Sequence, residues 1–156
     1  MTNGSSAFVV DTNVLVYAYD INESIKHDRA IEVLGRLESE RNGALTAQVL
    51  GEFFVTVTRK IRPPLAITEA ERSISNYRRS WPVHEITSVT VASAIRATRR
   101  HGLSYWDALV WATARLHEAR FILTEDFSDG ARIEGIQYVN PFTRQFDLRF
   151  LDRVMQ

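Results

Sequence analysis

An α/β domain built on a mostly parallel sheet is the fold class this sequence predicts, and three observations predict it. Residues 7–10, 121–124 and 136–139 are short apolar runs suited to buried strands. The longer segments between them carry apolar residues at helical spacing. Strand and helix therefore alternate along the chain, as they do when helices carry the crossovers of a parallel sheet.

Taken in order, residues 7–10 form the first strand, and Asp11-Thr12-Asn13 ends it with residues that favour turns and helix N-caps. Residues 14–19 read as a short helix. Residues 24–41 form a charged helix with Ala30, Val33, Leu34 and Leu37 on one face, stopped by Gly43. Ala44-Leu45 is a minimal strand. Thr46 caps a helix over 47–60, whose stripe is Leu50, Phe53, Phe54 and Val57. Pro63-Pro64 breaks the pattern, and Thr68-Glu69-Ala70-Glu71 reads as a capping box opening a helix to about Arg79. A strand over 83–86 and a helix over 88–100 follow, with Gly102 as its C′ residue. Ser104 caps a helix to about Glu118, with Leu109, Ala112, Thr113 and Leu116 on one face, ahead of the strands at 121–124 and 136–139.

Composition narrows the possibilities. The chain has 156 residues, 45% hydrophobic and 24% charged, which fits one globular domain and not disorder or a fibrous repeat. Nineteen basic side chains balance nineteen acidic ones, so bulk charge does not recruit a polyanion, although local patches remain open. Lysine occurs only as Lys26 and Lys60, which leaves arginine as the main cation. Cysteine is absent, which excludes disulfides, thiolate metal sites and cysteine nucleophiles. No apolar run reaches the roughly 18 residues of a membrane span, and Met1 to Ala7 lacks a basic leader region, so a cytoplasmic protein without membrane attachment is expected.

Common phosphate-binding, dinucleotide, nucleophile-elbow and zinc-protease motifs are absent, and His27, His84, His101 and His117 lack ligand spacing. Acid at matching places is the informative pattern. Asp11 follows the first strand, Asp126 follows the strand at 121–124, and Asp129 lies three further on. If those strands are parallel neighbours, the carboxylates gather at one sheet edge, where ligands of such sheets bind. Glu52 sits in an apolar helical segment and Asp107 in the first turn of its helix. Each also has a plain structural use: Asp11 and Asp107 as cap residues, Asp126 and Asp129 in turns, Glu52 in a salt bridge to an arginine. Should the acids converge, two carboxylates about 4 Å apart repel by roughly 4 kcal/mol at an effective dielectric near 20. An all-oxygen cluster without cysteine suits Mg²⁺ or Mn²⁺, and the chemistry it favours is phosphodiester hydrolysis.

The same residues carry a resemblance. Val10-Asp11-Thr12-Asn13, then Gln48 to Phe53 around Glu52, then Tyr105-Trp106-Asp107-Ala108-Leu109, then Leu123-Thr124-Glu125-Asp126 resemble the ordered motifs of PIN-domain ribonucleases. The segment from Asp129-Gly130 to Phe142 resembles one branch of VapC-type toxins of type II toxin–antitoxin systems. The acids stand 41, 55 and 19 residues apart. The resemblance implies a three-layer α/β/α sandwich over residues 1–142 and a Mg²⁺- or Mn²⁺-dependent endoribonuclease. Its acidic residues fall on Asp11, Glu52, Asp107 and Asp126, with Asn13 and Thr124 in support. Asp129 matches a position that some relatives use in place of Asp126, so either residue can be the fourth acid. A cognate antitoxin and a homodimer are implied as partners. Residues 143–156 run past the usual family end, and their apolar content suits packing on the domain or on a partner.

Hydrolysis in line at such a site leaves 5′-phosphate and 3′-hydroxyl ends on the RNA. Arg59, Lys60 and Arg62, the pair Arg78-Arg79, and Arg96 with Arg99 and Arg100 form basic clusters able to contact phosphate or to serve as solvated helix faces. Tyr105 and Trp106 are placed to stack on a base or to pack in the core. Competing readings are a catalytically silent PIN-fold binding module and a metal-dependent DNA nuclease. A haloacid-dehalogenase-type phosphatase wants a second Asp where Asn13 stands.

Overall fold

The computed structural model describes residues 5–154; the first four residues of the leader reading and the last two of the tail lie outside it. Its strands are β1 Phe8–Val10, β2 Gly43–Thr46, β3 Val83–His84, β4 Phe121–Leu123, β5 Arg132–Ile133 and β6 Ile136–Val139. Its helices are α1 Thr12–Tyr17, α2 Ser24–Glu40, α3 Ala47–Arg59, α4 Ile67–Ser80, α5 Ser88–His101 and α6 Tyr105–Leu116, followed by a 3₁₀ turn at Leu148–Leu151. The sheet order is β3-β2-β1-β4-β6-β5, parallel throughout except for the β5–β6 pair. This is the helix-flanked, mostly parallel sheet that the alternation predicts.

The central strands are short because each is buried on both faces and runs directly into a helix or turn. Phe8, Val9 and Val10 of β1 are all buried, as are all four residues of β2. Register pairs Phe8 with Gly43 on one side and with Phe121 on the other. All the parallel strands thus end at one pole, where Asp11, Thr46, Thr124 and Asn140 emerge.

Caps agree with the sequence at Asp11, Thr46, Gly102 and Ser104, but α2 is ended by Arg41 in the left-handed region at φ 51° and not by Gly43, which is the first residue of β2. Thr46 accepts the Val49 N–H, Ser104 accepts the Asp107 N–H, and Gly102 turns the chain after α5 at φ 69°. The capping box at Thr68 does not form. The helix starts earlier, at Ile67 after the extended Ala66, which leaves Thr68 inside the first turn with Glu69 facing the helix dipole. Helix α6 is buried from Ala108 to Thr113 and on to Ala114, not on a single face, while Leu116 is exposed. In α3, Val49 joins the buried stripe and Phe54 stays at its margin.

At the opposite pole, Asn42 ties three segments together. Its Oδ1 accepts the Ala7 N–H at 3.0 Å, its backbone carbonyl accepts the Phe8 N–H, and its Nδ2 donates to the Leu151 carbonyl at 3.0 Å. Leu151 is fully buried, Phe150 packs edge-on to Phe8 and Phe121, and Asp152 takes the Arg36 guanidinium at 2.7 Å. The tail from residue 143 to 154 thereby lies on α2 and the start of the sheet.

Gly43 has a specific packing duty. A Cβ there would stand 2.4 Å from Cζ3 of the buried Trp81 and 3.2 Å from Cβ of Leu37. The indole is locked in the core and cannot move aside cheaply. Gly43→Ala should destabilise the fold by about 1–3 kcal/mol, read as a lowered midpoint in urea unfolding.

Candidate active site

The site grows from the carboxyl ends of β1 and β4. Asp11 directly follows Val10 and caps α1, its Oδ1 accepting the Thr12 N–H at 2.8 Å. Among the described residues it is the only charged side chain that is buried. Burial pushes its carboxyl up to about 6; Asp126 and Glu52 push it the same way, while the Thr12 N–H and the Thr124 hydroxyl pull against them.

Thr124 serves as the hub. Its hydroxyl bonds Asp11 and accepts both the Asn13 Nδ2 at 2.9 Å and the Asp126 N–H at 3.2 Å. Asn13 in turn donates to Asp126 Oδ2 at 3.1 Å and accepts the Glu125 N–H at 3.3 Å. The two residues predicted to support the acids therefore hold Asp11 and Asp126 in one network.

Glu52 reaches this network from α3. Its Oε2 accepts the Thr12 hydroxyl at 2.7 Å and its Oε1 accepts Gln48 Nε2 at 2.7 Å. Gln48 also donates to the Trp106 carbonyl at 3.1 Å, strapping α3 to the first turn of α6, which carries Asp107. Asp107 accepts the Ser104 hydroxyl at 2.8 Å, a contact between the cap residue and the third residue of α6. The buried Tyr138 phenol feels the charges of both Asp107 and Asp11. The phenol is pushed up first by burial, then by those charges, and among the described residues its buried hydroxyl has no hydrogen-bond partner.

Asp129 stands apart from these contacts: it lies in the turn at 129–130, and its Oδ1 accepts the N–H of Asn140, eleven residues on and just past β6, at 2.9 Å. Glu125 turns the other way from Asp126, to Lys26 Nζ at 2.8 Å and the Tyr17 hydroxyl. Among the described residues, none of Asp11, Glu52, Asp107 and Asp126 forms an ion pair with a Lys, Arg or His, so the alternative of a Glu52–arginine salt bridge falls. Each carboxylate is instead held by its own neutral donors. Also among the described residues, no three of the acids and histidines close into a group that could hold a metal ion as they stand. The donor set does fit a hard divalent cation in kind: all oxygen, without an ion pair among the described residues, and with the Asp11 carboxyl raised first by burial and further by Asp126 and Glu52.

Two clefts flank the acids. One, of about 560 Å³, runs from Thr12, Asn13 and Asp126 to Lys60 and Arg62. The other, of about 590 Å³ and mostly apolar, runs from Glu52 past Gly51 and Val55 to Trp106, which is 61% exposed. Lys60 lines both. Arg59 is exposed on the same helix end but lines neither cleft, and Arg99 and Arg100 line a different pocket on α5 and α6.

A family model described as the PIN domain matches residues 8–129. The chain belongs to the PIN domain family. Solved structures with the same fold include a toxin–antitoxin complex from Klebsiella pneumoniae (20% identity, TM-score 0.59, 85% of this chain and 96% of that one). A DNA-bound VapBC from Salmonella typhimurium is 17% identical with TM-score 0.61, over 85% of this chain and 96% of the other. VapC20 from Mycobacterium tuberculosis, described as a toxin cleaving the sarcin–ricin loop, is 20% identical with TM-score 0.58 over 74% and 86%. No curated protein sequence matches significantly.

Sequence reasoning missed Thr12, Gln48 and Tyr138 in this PIN domain. The i,i+4 spacing of Gln48 and Glu52 on one helix offered a usable signal; Tyr138, in an apolar strand, offered none. It also left the histidines scattered, whereas His84 and His117 stack face to face at 3.7 Å and 4°.

The raised Asp11 carboxyl has a sign that can be measured. The folded chain holds that proton up to about pH 6, the unfolded chain only to about 3.8. Stability contributed by protonated Asp11 is therefore full below pH 4 and lost between pH 4 and 6, about 3 kcal/mol in all. Asp11→Asn keeps a good N-cap and removes the charge. In EDTA-treated protein it should be more stable than wild type by on the order of 1–3 kcal/mol at pH 7.5, with no difference below pH 4, by thermal unfolding across pH.

Proposed function

We propose that this chain is a divalent-cation-dependent endoribonuclease that acts as the toxin of a toxin–antitoxin pair. The observation that carries the reading is the set of unpaired acids at the carboxyl pole of a PIN-family sheet, with Asp11 buried among them. Relatives in fold described as toxin–antitoxin proteins, one of them as an RNA-cleaving toxin, support it.

Asp11, Glu52, Asp107 and Asp126 would hold Mg²⁺ or Mn²⁺, with Asp126 as the fourth acid because Asn13 fixes it within the Asp11 network, whereas Asp129 is engaged by the Asn140 N–H. A cation bound there supplies positive charge to the scissile phosphate and acidifies water. The protein's own part is placement. The Thr12 hydroxyl and the Gln48 amide fix both oxygens of Glu52, and Thr124 fixes Asp11. Lys60 and Arg62 on the cleft beside Asp126 contact the flanking phosphates, and exposed Trp106 on the apolar cleft offers a face for an unstacked base. Water attacks phosphorus in line, the P–O3′ bond breaks, and the products carry 5′-phosphate and 3′-hydroxyl ends. The partners in this reading are RNA, a cognate antitoxin and a second copy of the chain, in the cytoplasm.

Structured RNA incubated with Mg²⁺ or Mn²⁺ should be cut, EDTA should abolish cutting, and DNA competitor should not suppress it. Asp11→Asn and Glu52→Gln should each lower kcat by about a hundredfold or more. Cleavage unaffected by EDTA or by Asp11→Asn would sink the assignment.

A further inference from the structure

Basic side chains that take no part in the acidic site collect on the far flank of α6. Arg96, Arg99 and Arg100 of α5 and Arg115 of α6 line one pocket of about 350 Å³, with Ser93 at its edge and Glu134 as its single acid. Positions 96, 99 and 100 share a helix face by their i, i+3, i+4 spacing. Glu134 is already engaged three ways, by His101 at 2.9 Å, Arg115 at 3.2 Å and Arg100 at 3.8 Å. Arg115 is further held against the Trp111 ring at 5.3 Å. Among the described residues, Arg96 and Arg99 have no ion pair. The pocket thus concentrates three net positive charges in a chain whose formal total is zero.

We propose that this pocket is an exosite that grips backbone phosphates of folded RNA flanking the cleaved segment, an inference that rests on the ribonuclease reading above. Guanidinium forks match phosphate oxygens two at a time, which lysine cannot do. The buried Trp111, 1% exposed, offers no face for stacking, so the grip reads charge and not base identity. Position fits the role. Asp107 and Arg115 lie eight residues apart on α6, about 12 Å along the axis. At roughly 3.4 Å rise per nucleotide of a stacked strand, that is about four nucleotides from the acids. A very short substrate cannot span both places, while a stem or a longer strand can.

The test uses the full chain with Arg96→Glu/Arg99→Glu, both exposed positions, and the charge-preserving Arg96→Lys/Arg99→Lys as a control. Binding of a labelled stem-loop RNA is measured in EDTA across salt, and cleavage is measured separately with Mn²⁺. The Glu variant should bind at least tenfold more weakly, with a salt dependence shallower by about two phosphate contacts, and should raise KM with kcat retained. The Lys variant should keep the salt slope. Equal affinity and slope for wild type and the Glu variant, in protein that still cleaves, would overturn the exosite and leave the ribonuclease reading intact. A loss confined to kcat would also overturn it. Wild type that neither binds nor cuts RNA would remove both readings together.

Discussion

A carboxylate buried at the end of the central strand, with only neutral donors against it, is the constraint around which this molecule is arranged. Asp11 cannot be drawn into solvent without breaking the β1–α1 junction, because it caps that helix. Nor, among the described residues, is it relieved by a salt bridge. Its charge is met by an amide and by one threonine hydroxyl that simultaneously positions Asn13 and the backbone of Asp126. Neighbouring β1 and β4 bring those groups to one pole, so the register of three-residue strands decides where the polar network can exist.

Electrostatics sorts residues that look equivalent in a row of letters. Glu125 and Asp126 are adjacent acids, yet one closes an ion pair with Lys26 and the other joins the unpaired group. Both residues lie in the bend that follows β4, where the two side chains find different partners. The arginines divide similarly. Glu134 gathers two of them with His101 on the α5–α6 flank, while Lys60 and Arg62 border the acids. A neutral chain thereby supports one strongly acidic pole and one strongly basic flank.

Much of this was legible before any coordinates. Buried strands, helical stripes and the caps at Thr46, Gly102 and Ser104 follow from local rules that tertiary packing leaves in force. Asp11 and Asp126 were legible together because each follows a strand of one expected parallel sheet, and Glu52 because a carboxylate on an apolar helix is costly unless it is paired or holds a metal. Features that depend on distant partners were not. The two-residue β5 strand exists only because β6 lies beside it. Thr68 lost its capping role because the chain after Pro63-Pro64 enters the helix at Ile67. The Gln48 strap needs the Trp106 carbonyl, 58 residues away, and the Tyr138 hydroxyl acquires meaning only from acids on other elements.

The Asn42 junction has a consequence for how such a protein can change. It stitches the starts of β1 and β2 to the tail at the pole opposite the acids, using three hydrogen bonds from one residue and the buried Leu151 beside it. Rigidity and chemistry are thus housed at separate ends of the same strands. Sequence drift in the tail and on α2 can trade robustness up or down while the reactive pole keeps its shape. Selection for a different substrate can likewise reshape the cleft walls without drawing on the same reserve.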